Sequence, residues 1–208
     1  MYTPPSFQVS DSAQIYAFVK QHSFGLLLTT DGNTIHDTHT PFLLADDNTL
    51  LLGHIAKANP HWKTWDSATT AKALFTGPHA YISPSYYISE FNVPTWNYTA
   101  VSVSGPLSII HEQKQVLTFI NLLVAQHEEA NSVPWSLNSS DKRYLQLLDS
   151  IVVFQLEISE IEATFKLNQN KSSKDQQSVI HHLATSATST ENEVASLMQN
   201  SKPNSIPH

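Results

Sequence analysis

The chain has 208 residues, no cysteine, 40% hydrophobic and 14% charged residues, and a formal net charge of −7. That length suits one sizeable core, and the missing cysteines remove disulfides, thiolate catalysis and Cys-ligated metals. With 11 Lys and Arg against 18 Asp and Glu, an extended electrostatic footprint on nucleic acid is not expected.

The first residues, Met1-Tyr2-Thr3-Pro4-Pro5, carry no basic region ahead of an apolar stretch, so no signal peptide is expected. No apolar run approaches ~18 residues, which leaves no candidate membrane span. A cytoplasmic protein is the expectation. Residues 10–23 read as a helix. Asp11 and Gln14 have capping-box spacing, Ile15, Phe18, Val19 and His22 share a face, and Gly25 supplies a stop. Strands follow at 24–30 and 34–44, joined by a turn at Asp31-Gly32-Asn33, and a third strand at 49–55. Asn59-Pro60 is a helix start, with Asn as cap and Pro in the first turn of a short helix over 60–66.

Residues 71–76 predict a fourth strand, broken at Gly77-Pro78 and resumed over 79–83. Residues 84–94 read as an aromatic loop. From Tyr98 onward, Val101, Val103, Gly105, Leu107 and Ile109 alternate with polar or small residues as a half-buried strand does. Helices are expected at 112–129 and 140–149, a strand from 151 to 158 with a continuation to 167 left open, and a helix at 173–183. Residues 184–208 hold no aromatic residue and many Ser, Thr and Asn. They predict a flexible tail with at most a short helix at 191–199, after an ordered domain over 1–183. Hairpins early in the chain argue against a doubly wound sheet and for a mainly β fold, a small antiparallel barrel with peripheral helices.

No glycine-rich phosphate loop and no His-Glu-x-x-His pattern is present. His36 and His39 flank Asp37, but a three-residue offset on a strand puts them on opposite faces, so no metal site is expected there. The dense stretch is 53–98. A strand leading into a helix start is a natural anion site, and Lys57 stands there to add a charge. The same stretch also reads as a capped turn beneath an aromatic cluster.

Three segments here are diagnostic. Gly53-His54-Ile55-Ala56-Lys57-Ala58-Asn59-Pro60-His61-Trp62, Gly77-Pro78-His79-Ala80-Tyr81-Ile82-Ser83-Pro84 and Val93-Pro94-Thr95-Trp96-Asn97-Tyr98 resemble the PaiB family. Ser23-Phe24-Gly25, Thr40-Pro41-Phe42-Leu43-Leu44 and Lys166-Leu167-Asn168-Gln169-Asn170 extend the resemblance over roughly residues 1–183. The resemblance implies an FMN-binding split β-barrel, similar to pyridoxamine-phosphate-oxidase-like flavoproteins, working as a homodimer with flavin at the dimer interface. The role it implies is negative transcriptional regulation, of sporulation and degradative-enzyme genes in bacilli. Where the family usually has Arg, this chain has Lys57, which keeps a point charge and loses a bidentate clamp. It also has Asn168 where Ser is frequent and Tyr86 where the family has Trp.

On this resemblance Lys57 neutralises the flavin phosphate, and Asn59 with backbone N–H groups at 58–60 donates to it. Thr38, His39 and His54 line the phosphate and ribityl side. Trp96, Asn97 and Tyr98, from the other protomer, close the isoalloxazine side. Two alternatives stay open: a flavin-dependent oxidoreductase acting on a small molecule, and a haem-binding or haem-degrading split barrel. Direct DNA reading is doubtful, because no helix-turn-helix with basic residues is visible and the charge is acidic.

Overall fold

The structure, a computed structural model, describes residues 1–138 and 141–201. Its elements in chain order are α1 (Ser12–Gln21), β1 (Phe24–Thr30), β2 (Ile35–Leu44), β3 (Leu50–Ala56), β4 (Thr70–Ile82), β5 (Thr95–Ile110), α2 (Gln113–Glu128), α3 (Lys142–Leu148), β6 (Ile151–Glu157), β7 (Glu160–Lys166), α4 (Ser173–Ala184) and α5 (Ser189–Asn200). Short 3-10 helices occupy Pro5–Phe7, Pro60–Thr64 and Pro84–Tyr86. The seven strands form one sheet in the order β4-β1-β2-β3-β6-β5-β7, and β4 also pairs with β5, which returns the sheet onto itself. This agrees with the mainly β, antiparallel fold with peripheral helices expected from the residue pattern and with the split barrel that the resemblance implies.

Two compact units can be described separately, one built from Tyr16–Phe75 and Ser102–Ile161, the other from Met1–Ile15, Thr76–Val101 and the chain from Glu162 onward. In the first, β1 and β2 form a hairpin in register from Phe24↔Pro41 to Thr30↔Ile35. Local chemistry shapes its turn. Asp31 Oδ1 accepts from the N–H groups of Asn33 at 3.0 Å and Thr34 at 2.9 Å, and Gly32 takes a φ of +94° that a side chain would resist. Strand alternation buries Thr40, Phe42 and Leu44 on one face of β2. Phe42 meets Phe75 edge-on at 5.2 Å and Phe154 at 5.9 Å. The opposite face of this sheet is covered by α2, whose Phe119 and Leu123 pack with Val153, Leu43 and Leu52. Two glycines permit close approach here: a Cβ on Gly53 would run into the Phe154 ring, and one on Gly105 into the Glu157 carbonyl oxygen.

Two strand boundaries differ from expectation. β4 runs unbroken through Gly77-Pro78, because proline fits an extended backbone and removes only one ladder donor. The run from 151 to 167 is two strands. The chain turns between them, where Ile158 N donates to Thr49 O at 2.9 Å and Ser159 N to Ser104 O at 3.0 Å.

In the second unit the N-terminal segment lies along β7. Val9 N donates to Ala163 O at 3.1 Å, the Thr3 and Thr164 hydroxyls are hydrogen-bonded, and the Met1 ammonium pairs with Glu162. The short helix expected at 191–199 within the tail is α5, residues 189–200, and what differs from a flexible tail is that Val194, Ala195 and Met198 are buried. Their spacing is one helical stripe, and it packs with α4, where Val179 and Leu183 are buried. Aromatic content was the wrong guide, since small aliphatic residues can fill a helix–helix seam. Residues 202–208 of that segment lie outside the described residues.

The start of α4 carries a buried carboxylate. Asp175 accepts from Ile88 N at 2.9 Å, Ser89 N at 3.0 Å, Ser89 Oγ at 2.9 Å and Ser172 Oγ at 2.9 Å. These bonds, led by the Ser89 backbone, hold its carboxyl at about 2. The unfolded chain takes up this proton first, near the ordinary value of ~3.9. Asp175 therefore stabilises the fold fully above that value, and the contribution is lost as pH falls through about 2. The stability gap between wild type and Asp175→Asn in urea titrations should be widest at neutral pH and shrink steadily below pH ~4. A gap independent of pH would assign Asp175 no titration-linked role.

Candidate functional site

Two of the expected site residues, Thr38 and Asn59, come together with His61 beside the β1–β2 hairpin. Asn59 precedes the 3-10 helix and caps it, its Oδ1 accepting from His61 N at 3.0 Å. The Asn59 Nδ2 donates to Thr38 Oγ1 at 3.0 Å. His61, only 3% exposed, uses both ring nitrogens: Nε2 lies 2.7 Å from Thr29 Oγ1 and Nδ1 2.8 Å from Thr38 Oγ1. Burial, with the neighbouring His36, lowers the His61 pKa and keeps the ring neutral. A neutral imidazole needs one donor and one acceptor, and two threonine hydroxyls can supply either. His36 stacks on His61 at 5.6 Å, and Trp65 meets it edge-on at 5.3 Å. The side chains of Thr38 and Asn59 are thus spent on this network. His61 was not singled out from the sequence, because its partners Thr29 and Thr38 lie 32 and 23 residues away.

His39 and His54 are on the other face of the sheet. One residue past Thr38, His39 is exposed and stacks on Phe24 at 5.9 Å. His54 is half-buried, its ring edge-on to Phe119 of α2 at 6.0 Å. Its buried Nδ1 has no hydrogen-bond partner among the described residues, and desolvation lowers its pKa. Thr38 and His39 therefore cannot line one wall, a consequence of the two-residue strand period.

Lys57 follows β3 and lines a cleft of about 500 Å³ with Trp62, His111, Gln113 and Asp149. Its carbonyl accepts from Trp62 Nε1 at 2.9 Å, fixing the indole beside it, and its N–H donates to Ser150 O at 2.8 Å. The same cleft reaches the first turn of α2, where the N-cap Glu112 makes no side-chain cap among the described residues. Exposed helix-start N–H groups and one ammonium favour an anion, and the Asp149 carboxylate opposes it. The helix start that belongs with Lys57 is thus that of α2. The expected donor, the Asn59-Pro60 start, is occupied by its own cap.

Trp96, Asn97 and Tyr98 belong to the other compact unit. Trp96 is 53% exposed and meets Tyr81 at 5.9 Å and His79 at 6.0 Å, an aromatic strip on the surface. Asn97 points the opposite way. It is fully buried, its Nδ2 donating to Met198 Sδ of α5 at 3.4 Å. Tyr98 is half-buried. In the late motif, Asn168 is buried with a left-handed φ of 65°, its Nδ2 donating to Tyr87 Oη at 3.2 Å. Asparagine tolerates that backbone better than most residues. The motif therefore has a structural reason.

The profile of the family described as "Putative FMN-binding domain" matches residues 1–160. The chain belongs to this family. Within it, the resemblance to PaiB holds along the whole chain: "Protease synthase and sporulation protein PAI 2" of Bacillus subtilis is 36% identical over 207 residues, spanning 96% of this chain and 97% of that one. Two solved structures share the fold. One, titled a putative 5-nitroimidazole antibiotic resistance protein from Bacteroides thetaiotaomicron, has a TM-score of 0.57 at 10% identity, covering 75% of this chain and 84% of its own. The other, titled the FAD and heme binding protein from Mycobacterium smegmatis, has a TM-score of 0.59 at 9% identity, with 76% and 73% covered. The family span ends at residue 160, before α4 and α5, whereas the PAI 2 likeness includes them.

Proposed function

We propose that this chain is an FMN-binding negative transcriptional regulator of the PaiB kind, a cytoplasmic homodimer with flavin held at the dimer interface. Membership of the FMN-binding family and likeness to PAI 2 support the reading. No helix among the described residues is long and apolar enough to cross a membrane. The net charge of −7 favours action through a protein partner over direct reading of DNA.

The observation that carries the flavin reading is Lys57 beside Trp62 in a cleft that the start of α2 also lines. A volume of about 500 Å³ is in the range of small-molecule sites. Lys57 and the first-turn N–H groups of α2 would hold the phosphate, and Trp62 offers a flat apolar wall. When bound, flavin supplies one- or two-electron redox chemistry. The exposed Trp96–Tyr81 strip supports a role for the late aromatic motif at the isoalloxazine side, as Trp96 of the partner subunit.

The phosphate is the discriminating group. FMN should bind more tightly than riboflavin, and added salt should narrow the gap by screening the charge. Lys57→Ala removes one charge-assisted hydrogen bond, about 1.5–3 kcal/mol, or roughly ten- to a hundredfold in FMN dissociation constant. Riboflavin affinity should hardly change. Fluorescence titration of both flavins against both proteins, with light scattering for the dimer, reads this out. If Lys57→Ala weakens riboflavin as much as FMN, Lys57 holds the fold and the phosphate assignment fails. If neither flavin binds the wild type at micromolar concentration while haem gives a Soret band, the flavin reading is replaced by the haem one.

A further inference from the structure

A second concavity, of about 1070 Å³, lies beside α2 and is larger than the Lys57 cleft. Its floor is apolar: Leu43 and Leu52 come from β2 and β3, and Leu122 from α2. Leu122 is 53% exposed and continues the apolar floor out to the surface. Trp135 and Pro134 form one wall. That wall is built. The Glu128 carboxylate accepts from Trp135 N at 2.9 Å and from Asn131 Nδ2 at 2.7 Å, pinning the loop after α2. The indole stays 47% exposed and meets Tyr144 edge-on at 6.0 Å.

The charges on this groove are unbalanced. Asp46, Glu128 and Glu129 line it, against Lys20 as the one cation in its lining among the described residues. The two hydrogen bonds to Glu128 lower its pKa, so that carboxylate stays ionised. An apolar floor, an exposed indole and a surplus of carboxylates complement one kind of ligand: a bulky apolar organic cation, its hydrocarbon on the leucines and its charge against the indole face and the acids. We propose that this groove is a binding site for small lipophilic cations. It shares no residue with the Lys57 cleft, and it stands or falls independently of flavin binding.

Tetraphenylphosphonium and tetraphenylborate are nearly the same size and differ in the sign of their charge, so their comparison separates charge recognition from hydrophobic adsorption. Isothermal titration of the full chain should show the cation binding with a dissociation constant at least about tenfold lower than the anion, the order expected for one or two unscreened charges at a surface site. Asp46→Asn combined with Glu129→Gln should bring the two ligands within about threefold, mainly by weakening the cation. Trp135→Ala should weaken the cation about tenfold or more with an unchanged melting temperature, because that indole is a wall and not a core residue. FMN at saturating concentration should leave cation binding unchanged. Equal or tighter binding of tetraphenylborate, or cation binding indifferent to Trp135→Ala, would overturn the proposal. So would loss of the dimer in Trp135→Ala, which would make the groove a subunit interface.

Discussion

Phe154→Ala should lower stability by about 3–5 kcal/mol, the range for truncating a large buried aromatic side chain. Phe154 is fully buried and meets Phe42 at 5.9 Å and Trp65 at 5.4 Å, both edge-on. Its ring also lies over the Cα of Gly53, its cross-strand partner on β3. The pair makes a sharper test than either residue alone. In the wild type, Gly53→Ala puts a methyl into the Phe154 ring and should destabilise by about 1–3 kcal/mol, as overpacking does. In the Phe154→Ala background that methyl enters space the ring has left, so the second change should be neutral or stabilising. Urea unfolding of the four proteins gives the coupling. Additive losses would mean that Gly53 is there for backbone reasons and not for the ring.

Gly105→Ala should cost about 3 kcal/mol or more, and no second-site side-chain change should rescue it. A Cβ at this position falls on the carbonyl oxygen of Glu157, a main-chain atom at the end of β6. Overpacking against a side chain can be relieved by a rotamer change; against a backbone carbonyl it requires two strands to separate. The strands that would move are β5 and β6, paired from Leu107↔Leu156 to Ile110↔Val153. The expected phenotype is a large fall in the unfolding midpoint with no new ligand-binding defect in the protein that remains folded at low temperature. A wild-type midpoint would show that β5 and β6 separate at this point without cost.

Gly53 and Gly105 read differently in the sequence. Gly53 stood inside a motif and Gly105 inside an alternating strand, where each looked like a residue of the local pattern. Neither the ring over Gly53 nor the carbonyl against Gly105 can be read from neighbours in the chain. The site residues divide the same way. Asn59 as a cap for Pro60 is a contact across two residues, and it is present as expected. That its amide would also engage Thr38, and that Thr38 would be shared with His61, depends on bringing β2 against the 3-10 helix. Asn97 sat in a motif credited with ligand contact. Its amide donates to Met198, 101 residues later, in a segment whose composition predicts a flexible tail with at most a short helix.

By itself the sequence determined the strands of the β1–β2 hairpin, the turn at Asp31-Gly32-Asn33, the strong helix α2, the absence of thiol chemistry and the family. These follow from interactions that close within a few residues, namely caps, turn hydrogen bonds and the 2.0 and 3.6 periods, or from long motifs compared directly. Only the tertiary structure decided which face each histidine takes, that Lys57 shares its cleft with the start of α2, that α5 packs on α4, and that an acidic rim surrounds an apolar groove beside α2. Those outcomes are set by which strands pair and which helices dock. Their partners lie tens of residues apart, and the free energy that selects them comes from burying many side chains at once, which no single stretch of chain encodes.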